Sequence, residues 1–401
     1  MPTKLDRRTR RDSDCRSIAA AAFFEEEFPR LAERNGALVA SGMRWLEAPP
    51  LTVEVGEQAW SIAAEGEKLV AANGNVPGAL VVALSEDQFS RVAQNLVTFN
   101  GLLVTGELQP DRTNREALSS WDALWHTLLE GWTVLPEQLS FVDRHGQPLD
   151  LNASFTPASD PADIAHFLRE AGFLHLRGWL DPTDMARISR DMDAALPDYS
   201  EGDGKSWWAT LADGSRACVR LQDFVERSPT TQALLEGPQW DLLHRVLAGH
   251  DHLERKPAKG RIIEALFKPV GIVSGPSDLT FHRDCHLGRH AYACSRMTVG
   301  ISLTASGPGN GQLQVIAGSH RVGIPVEHAK TRPYLPVVAM QTEPGDLTVH
   351  LSCTLHEATP PVSSERRVMY TEIPLAGGPL DTSVEGVRGD IDAILKRRAP
   401  V

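Results

Sequence analysis

The sequence predicts an α+β protein: a jelly-roll β-sandwich or barrel with flanking helices, preceded by a small mixed unit. Three observations carry that prediction. From about residue 262 onward the pattern is almost all short strands, separated by Gly, Pro and Asn-Gly turns. Residues 160–196 read as two capped helices around a short strand. Residues 51–135 hold a separate run of alternating segments followed by apolar helical stripes.

Taken in order, the chain opens with charges from Lys4 to Asp12. Ser17–Phe24 then runs into Glu25-Glu26-Glu27, which reads as an amphipathic helix within a helical segment over 1–48 and not as a signal peptide. Pro49-Pro50 marks a boundary. A small α+β domain over 49–150 follows, with strands at Leu51–Val55, Trp60–Ala63, Lys68–Ala71, Gly78–Leu84 and Leu102–Thr105. Ser85 caps a helix to about Leu96, and Trp121–Leu129 forms another with one apolar stripe. The order of these elements resembles sterol-carrier-type lipid-binding modules. Such a unit would bring substrate, join two copies into a homo-oligomer, or cover one face of its neighbour.

Leu149–Pro161 reads as a linker into a third unit spanning 151–401. A helix over Pro161–Ala171 ends at Gly172, Phe173–Gly178 is a strand, and Asp181-Pro182 caps a helix through Leu196. Pro197–Arg216, rich in Gly, Ser and Asp, is expected to be a loop that presents Trp207 and Trp208 to a substrate or anchors itself with them. Strands are expected at Ile262–Phe267, Leu279–His282, Met297–Leu303, Gln312–Ile316, Asp346–Leu351 and Arg367–Ile373.

Composition narrows the functional classes. With 40 basic and 52 acidic residues in 401, the net charge of −12 argues against a basic nucleic-acid binder. The five cysteines form no CxxC pair, which argues against a disulfide scaffold and fits a reducing, cytoplasmic setting. No apolar run approaches the ~18 residues of a membrane span.

Half of the 14 histidines fall between His282 and His356. The informative piece is Phe281-His282-Arg283-Asp284. On a strand, residues i and i+2 share a face, so an imidazole and a carboxylate converge. A third imidazole from a distant strand would complete a two-His, one-carboxylate facial triad for Fe(II), with open positions for a co-substrate and dioxygen. Two rivals stand beside it. His252-x-Glu254, with His250 before it, sits in a polar turn with no flanking strand. His282, His286 and His290 would stack on a helix, but Gly288 and the β-like Leu279–Phe281 oppose one.

The downstream pattern adds Asn310-Gly311-x-Leu313, Gly318-Ser319-His320-Arg321, Pro344-Gly345-Asp346, His356 and, eleven positions on, Arg367. With His282-x-Asp284, and with the opening helix and Gly172–Gly178, this order resembles the phytanoyl-CoA dioxygenase family of Fe(II)/2-oxoglutarate oxygenases over roughly 160–375. The resemblance implies a double-stranded β-helix, or cupin-like jelly roll. It implies that His282, Asp284 and His356 bind iron, and that Arg367 anchors the far carboxylate of 2-oxoglutarate bidentately. Arg366 points to the opposite face of the strand, and a bulge would exchange the two. Lys268 and Thr298 are further candidates to reach the co-substrate. His350 is the reserve for His356, or else a core residue.

The implied reaction consumes 2-oxoglutarate and dioxygen, releases succinate and carbon dioxide, and hydroxylates a small-molecule, lipid or natural-product substrate. Related halogenases replace the carboxylate ligand with a small residue, so Asp284 points to hydroxylation or another oxidation. Trp207, Trp208, Arg289, His290 and Tyr292 are the candidate substrate contacts. Two alternatives remain: a non-catalytic jelly-roll or lipid-binding protein, and a zinc hydrolase with Glu357 as base, which gives Arg367 no role.

Overall fold

The computed structural model describes residues 15–108, 114–247, 258, 261–275, 280–284, 296–331 and 334–374. Apolar patterning divides its interior into two main clusters, one running from Ala20 to Val134 and the other from Ile164 to Ile373.

In the first, β1 (Leu51–Val55), β2 (Gln58–Glu65), β3 (Lys68–Asn73) and β4 (Leu80–Leu84) form a sheet in the order β3-β2-β1-β4. β1 runs antiparallel to β2 and parallel to β4. Helices Phe28–Trp45 and Arg115–Glu130 contribute Val39, Met43, Leu124 and Trp125 to this core. Trp121 is buried too, and its indole N–H donates to the Pro49 carbonyl at 2.7 Å. Ser85 closes a capping box with Gln88, as its spacing predicts.

The strand expected at Leu102–Thr105 is instead the end of a helix, Phe99–Thr105. The Thr98 hydroxyl caps Gly101, and buried Asp122 accepts from the Phe99 amide at 2.7 Å. Those bonds satisfy the first orphan amides of a helix and override the β-like run. Among the described residues no helix is long and apolar enough to cross a membrane.

The second cluster belongs to a jelly roll. Its large sheet takes β5 (Phe173–Leu176), β6 (Ser206–Leu211), β7 (Arg216–Leu221), β8 (Ile263–Lys268), β9 (Ile272–Ser274) and β10 (Arg296–Ser302). A facing sheet takes β11 (Leu313–Ile316), β12 (Val337–Met340) and β14 (His356–Ala358). β13 (Leu347–Leu351) and β15 (Arg366–Pro374) return to the large sheet. The strand orders are β5-β13-β10-β15-β8-β7-β6-β9 and β12-β11-β14, a double-stranded β-helix.

Helices Pro161–Ala171, Pro182–Ala195 and Pro238–Leu247 cover the outer face of the large sheet with Phe167, Ile188 and Trp240. Each such fully buried apolar side chain contributes about 1.5–3 kcal/mol.

Two expectations need correction. Pro197–Arg216 is not one loop: Ser206–Leu211 is β6, paired with β7 through a tight turn in which the Leu211 amide donates to the Ser215 carbonyl. The Asp213-Gly214 turn lets alternating apolar and polar residues pair as a hairpin. Of the strand expected at Leu279–His282, the described part contributes only a bridge from His282 to His356.

Gly172 ends its helix with φ +85°, a left-handed conformation. A Cβ there would overlap His320 Nδ1 and come within 2.7 Å of Thr354 Oγ1. This glycine therefore lets the turn before β14 pack directly on the end of the helix.

Candidate active site

The site is assembled where β14 meets the segment around His282. The backbones of His282 and His356 exchange two hydrogen bonds of 3.1 Å, which lays the segment alongside β14. Arg283 fixes its rotation. That side chain is fully buried on the far side and donates to the carbonyls of Cys353, Ile324 and Ser319. His282 and Asp284 therefore face the other way, toward His356. One ligand atom from each of the three lies within 4.8 Å of the others.

The hydrogen bonds select the ligand atoms. Each imidazole gives its Nδ1 to the carbonyl two residues earlier: His282 to Thr280 at 3.0 Å and His356 to Thr354 at 2.9 Å. A carbonyl can only accept, so Nδ1 carries a proton and Nε2 is the atom turned to the site. Both Nε2 atoms lie 3.6 Å from Asp284 Oδ1. Burial and the neighbouring His350 hold the His356 pKa well below the ordinary value, so its ring is neutral. Burial would raise the Asp284 pKa, but His356, His282 and His350 together bring it well below the usual carboxylate range. Two imidazoles and a carboxylate form a donor set suited to a divalent first-row metal, and iron(II) fits it.

Thr298 and His350, cross-strand partners on β10 and β13, occupy the other side of the carboxylate. The Thr298 hydroxyl, a candidate to reach the co-substrate, donates to Asp284 Oδ2 at 2.7 Å. His350 neither faces away nor replaces His356. Its Nε2 is 3.4 Å from Asp284 Oδ2, and its ring centroid is 3.9 Å from that of His356.

The structure places the two arginines on opposite faces of β15, with Arg367 outward and Arg366 inward. Arg367 pairs with Asp193 and Glu365, both at 2.8 Å, and donates to the Ser189 carbonyl of the covering helix. It shares a strand face with Met369 and Ile373, which belong to the outer core. Arg366 takes the inner face. It is 1% exposed, donates from Nη1 to the Gly311 carbonyl at 2.5 Å, and leaves Nε without a partner.

β15 pairs continuously with β8, so no bulge restores the expected parity. Directly opposite Arg366 stands buried Lys268, whose Nζ donates to the Ala358 carbonyl two residues after His356. No carboxylate among the described residues pairs with Arg366, so the pocket floor is cationic and fits the far carboxylate of 2-oxoglutarate.

Adjacent on β6, Trp207 and Trp208 point to opposite faces, and the register with β7 shifts between them, leaving Val219 without a counterpart. Trp208 packs against the outer core. Trp207 turns inward under Arg220, whose guanidinium lies 3.9 Å from the ring centroid and pairs with Glu264 at 3.0 Å. Burial raises the Glu264 pKa, against the effect of Arg220. Arg289, His290 and Tyr292 lie outside the described residues, as do His286 and the rival His252-x-Glu254. Glu357, the base of the zinc-hydrolase reading, alternates to the opposite face of β14 from His356 and accepts from the Phe281 backbone.

Sequence reasoning missed Arg366, Arg220 and Glu264. Only the Arg366-Arg367 ambiguity signalled the first, and nothing in the local pattern marks the other two.

Residues 168–369 match the family described as Phytanoyl-CoA dioxygenase (PhyH). No curated protein matches the chain. Among solved structures, AviO1 from Streptomyces viridochromogenes Tue57 is similar at 22% identity and TM-score 0.43, over 55% of this chain and 97% of that one. SnoN, a non-heme alpha ketoglutarate dependent epimerase from nogalamycin biosynthesis, is similar at 23% identity and TM-score 0.42, over 54% and 82%. EctD from S. alaskensis, with 2-oxoglutarate and 5-hydroxyectoine, is similar at 18% identity and TM-score 0.42, over 59% and 83%.

Proposed function

Because this chain belongs to the phytanoyl-CoA dioxygenase family of Fe(II)/2-oxoglutarate-dependent oxygenases, we propose that it hydroxylates a small-molecule substrate and releases succinate and carbon dioxide. In this reading His282, Asp284 and His356 hold the iron, and Arg366 beside Lys268 receives the far carboxylate of 2-oxoglutarate. The observation that carries it is the pair of imidazoles anchored through Nδ1 to backbone carbonyls, with both Nε2 atoms aimed at one oxygen of Asp284.

The bound metal and co-substrate supply the oxidation of a substrate C–H bond by dioxygen. The chain's own residues do the rest. Burial keeps the His356 ring neutral, so a metal need not displace a proton from its Nε2. Asp284 contributes one negative charge and keeps the set at three ligands, leaving open positions on one side. Arg366 stays charged while buried and grips a carboxylate through parallel N–H donors. Trp207 and the Arg220–Glu264 pair form a wall that orients substrate against the site.

Anaerobic titration of the metal-free protein with Fe(II) and 2-oxoglutarate tests the reading. A visible metal-to-ligand charge-transfer band is expected in the wild type and is lost in His282→Ala. Succinate release then becomes the screen for substrates. A well-folded wild type without the band overturns the reading and favours a non-catalytic binding protein.

A further inference from the structure

Asp284 offers two oxygens, and the structure treats them differently. Oδ1 faces His282 and His356, each through Nε2 at 3.6 Å. Oδ2 faces Thr298 Oγ1 at 2.7 Å and His350 Nε2 at 3.4 Å. The strands dictate this division. Thr298 on β10 and His350 on β13 are direct register partners, and both project inward from the large sheet. His282 and His356 belong to the bridge beside the facing sheet. The carboxylate thus spans the barrel, with one oxygen facing each wall.

His350 is the unusual member. It is 1% exposed, and neither of its ring nitrogens has a hydrogen-bond partner. A buried imidazole whose closest polar contact is one carboxylate oxygen is costly, and an apolar ring would pack there at less cost. Its stacking against His356, at 3.9 Å between centroids, keeps Nε2 beside Asp284 Oδ2.

We propose that Thr298 and His350 are positioning residues for Asp284: they occupy the space and the lone pairs of Oδ2, so that Oδ1 alone ligates the metal. A carboxylate free to turn would present both oxygens and take a second coordination position, one that the co-substrate or dioxygen requires. Thr298 acts as a donor through its hydroxyl. His350 acts as a wall whose Nε2 stands beside the same oxygen. Partners of this kind commonly account for 10–100-fold in metal affinity. The inference rests on the reading of His282, Asp284 and His356 as the ligands.

The test uses Co(II) added to the full-length metal-free protein, read by binding isotherm and by visible absorption, which reports coordination number without turnover. Thr298→Val removes the hydroxyl at nearly constant shape, Thr298→Ser retains it, and His350→Phe retains a ring without the nitrogens. The expected result is Co(II) binding weakened about 10–100-fold in Thr298→Val, with a changed visible spectrum. Thr298→Ser keeps affinity and spectrum close to wild type, and His350→Phe changes the spectrum in the same sense as Thr298→Val.

Thermal unfolding of each metal-free variant separates loss of fold from loss of positioning. If Thr298→Val unfolds, the comparison of His350→Phe with wild type decides. Wild-type affinity and spectrum in a folded Thr298→Val, or in His350→Phe where it decides, overturn the inference while leaving the ligand assignment intact. A folded wild type that binds no Co(II) overturns both, beginning with the ligand assignment.

Discussion

Replacing Arg366 by Met removes the inner guanidinium while keeping an unbranched chain in the space. Arg366 is buried, its Nε is unpaired, and no acidic side chain among the described residues balances it. A carboxylate bound there gains two charge-assisted hydrogen bonds, each about 1.5–3 kcal/mol. Lys268 remains across the strand pair and retains part of the attraction. A net loss of about 3 kcal/mol is a fair working value, roughly 150-fold in affinity for 2-oxoglutarate.

Arg367→Met is the control. Its partner Asp193 is 58% exposed, so losing that pair costs about 0–1 kcal/mol of stability and should leave co-substrate binding alone. The assay is anaerobic titration of the Fe(II)-loaded protein with 2-oxoglutarate, followed through the charge-transfer band. Denaturant midpoints are measured in parallel, and Arg366→Met should not lower stability much, because the co-substrate-free wild type already buries an unbalanced charge. Loss of 2-oxoglutarate affinity in Arg367→Met with near-normal binding in Arg366→Met would refute the inner-face assignment and restore the sequence parity.

Two further predictions concern the same architecture. The His356 pKa lies well below 6.5 in the folded protein, through burial and its neighbour His350, so the unfolded chain takes up that proton first. Stability of the metal-free protein is therefore complete above about pH 6.5 and declines as pH falls from there toward the lower folded value. His356→Phe should flatten that part of the urea-midpoint profile, and an identical slope in the variant would contradict the burial of a neutral ring. Gly172→Ala places a Cβ against His320 Nδ1 and Thr354 in a left-handed backbone, at a cost of at least about 2 kcal/mol in denaturant unfolding. Because the Thr354 carbonyl holds His356 Nδ1, metal affinity should fall as well, and an unchanged midpoint would mean that the helix end can retreat.

Much of this protein is determined locally and is legible in the chain. Alternation of residue types and turn residues specify β1, β8, β10 and β13, since successive side chains of a strand take opposite faces whatever it pairs with. Asp160, Pro161 and Gly172 bound a helix because capping and left-handed conformations are properties of those residues. His282-x-Asp284 marks a candidate ligand pair for the same reason, although its convergence also needs Arg283 pinned on the far side.

Other features are decided by partners remote in sequence. Phe99–Thr105 is helical because Asp122 supplies an acceptor to its first amides. Trp207 and Trp208 alternate to opposite faces of β6, and which of them meets the outer core and which meets Arg220 is decided by how β6 pairs with β7. Arg366 and Arg367 have equal chemistry and adjacent positions, so which one enters the pocket depends on how β15 registers with β8 and β10. His350 gains its place beside Asp284 from the pairing of β13 with β10, a contact between strands whose spacing in the chain carries no trace of it. Residue type decides what a side chain can do, but a strand's inward face is settled only once its neighbours are in register.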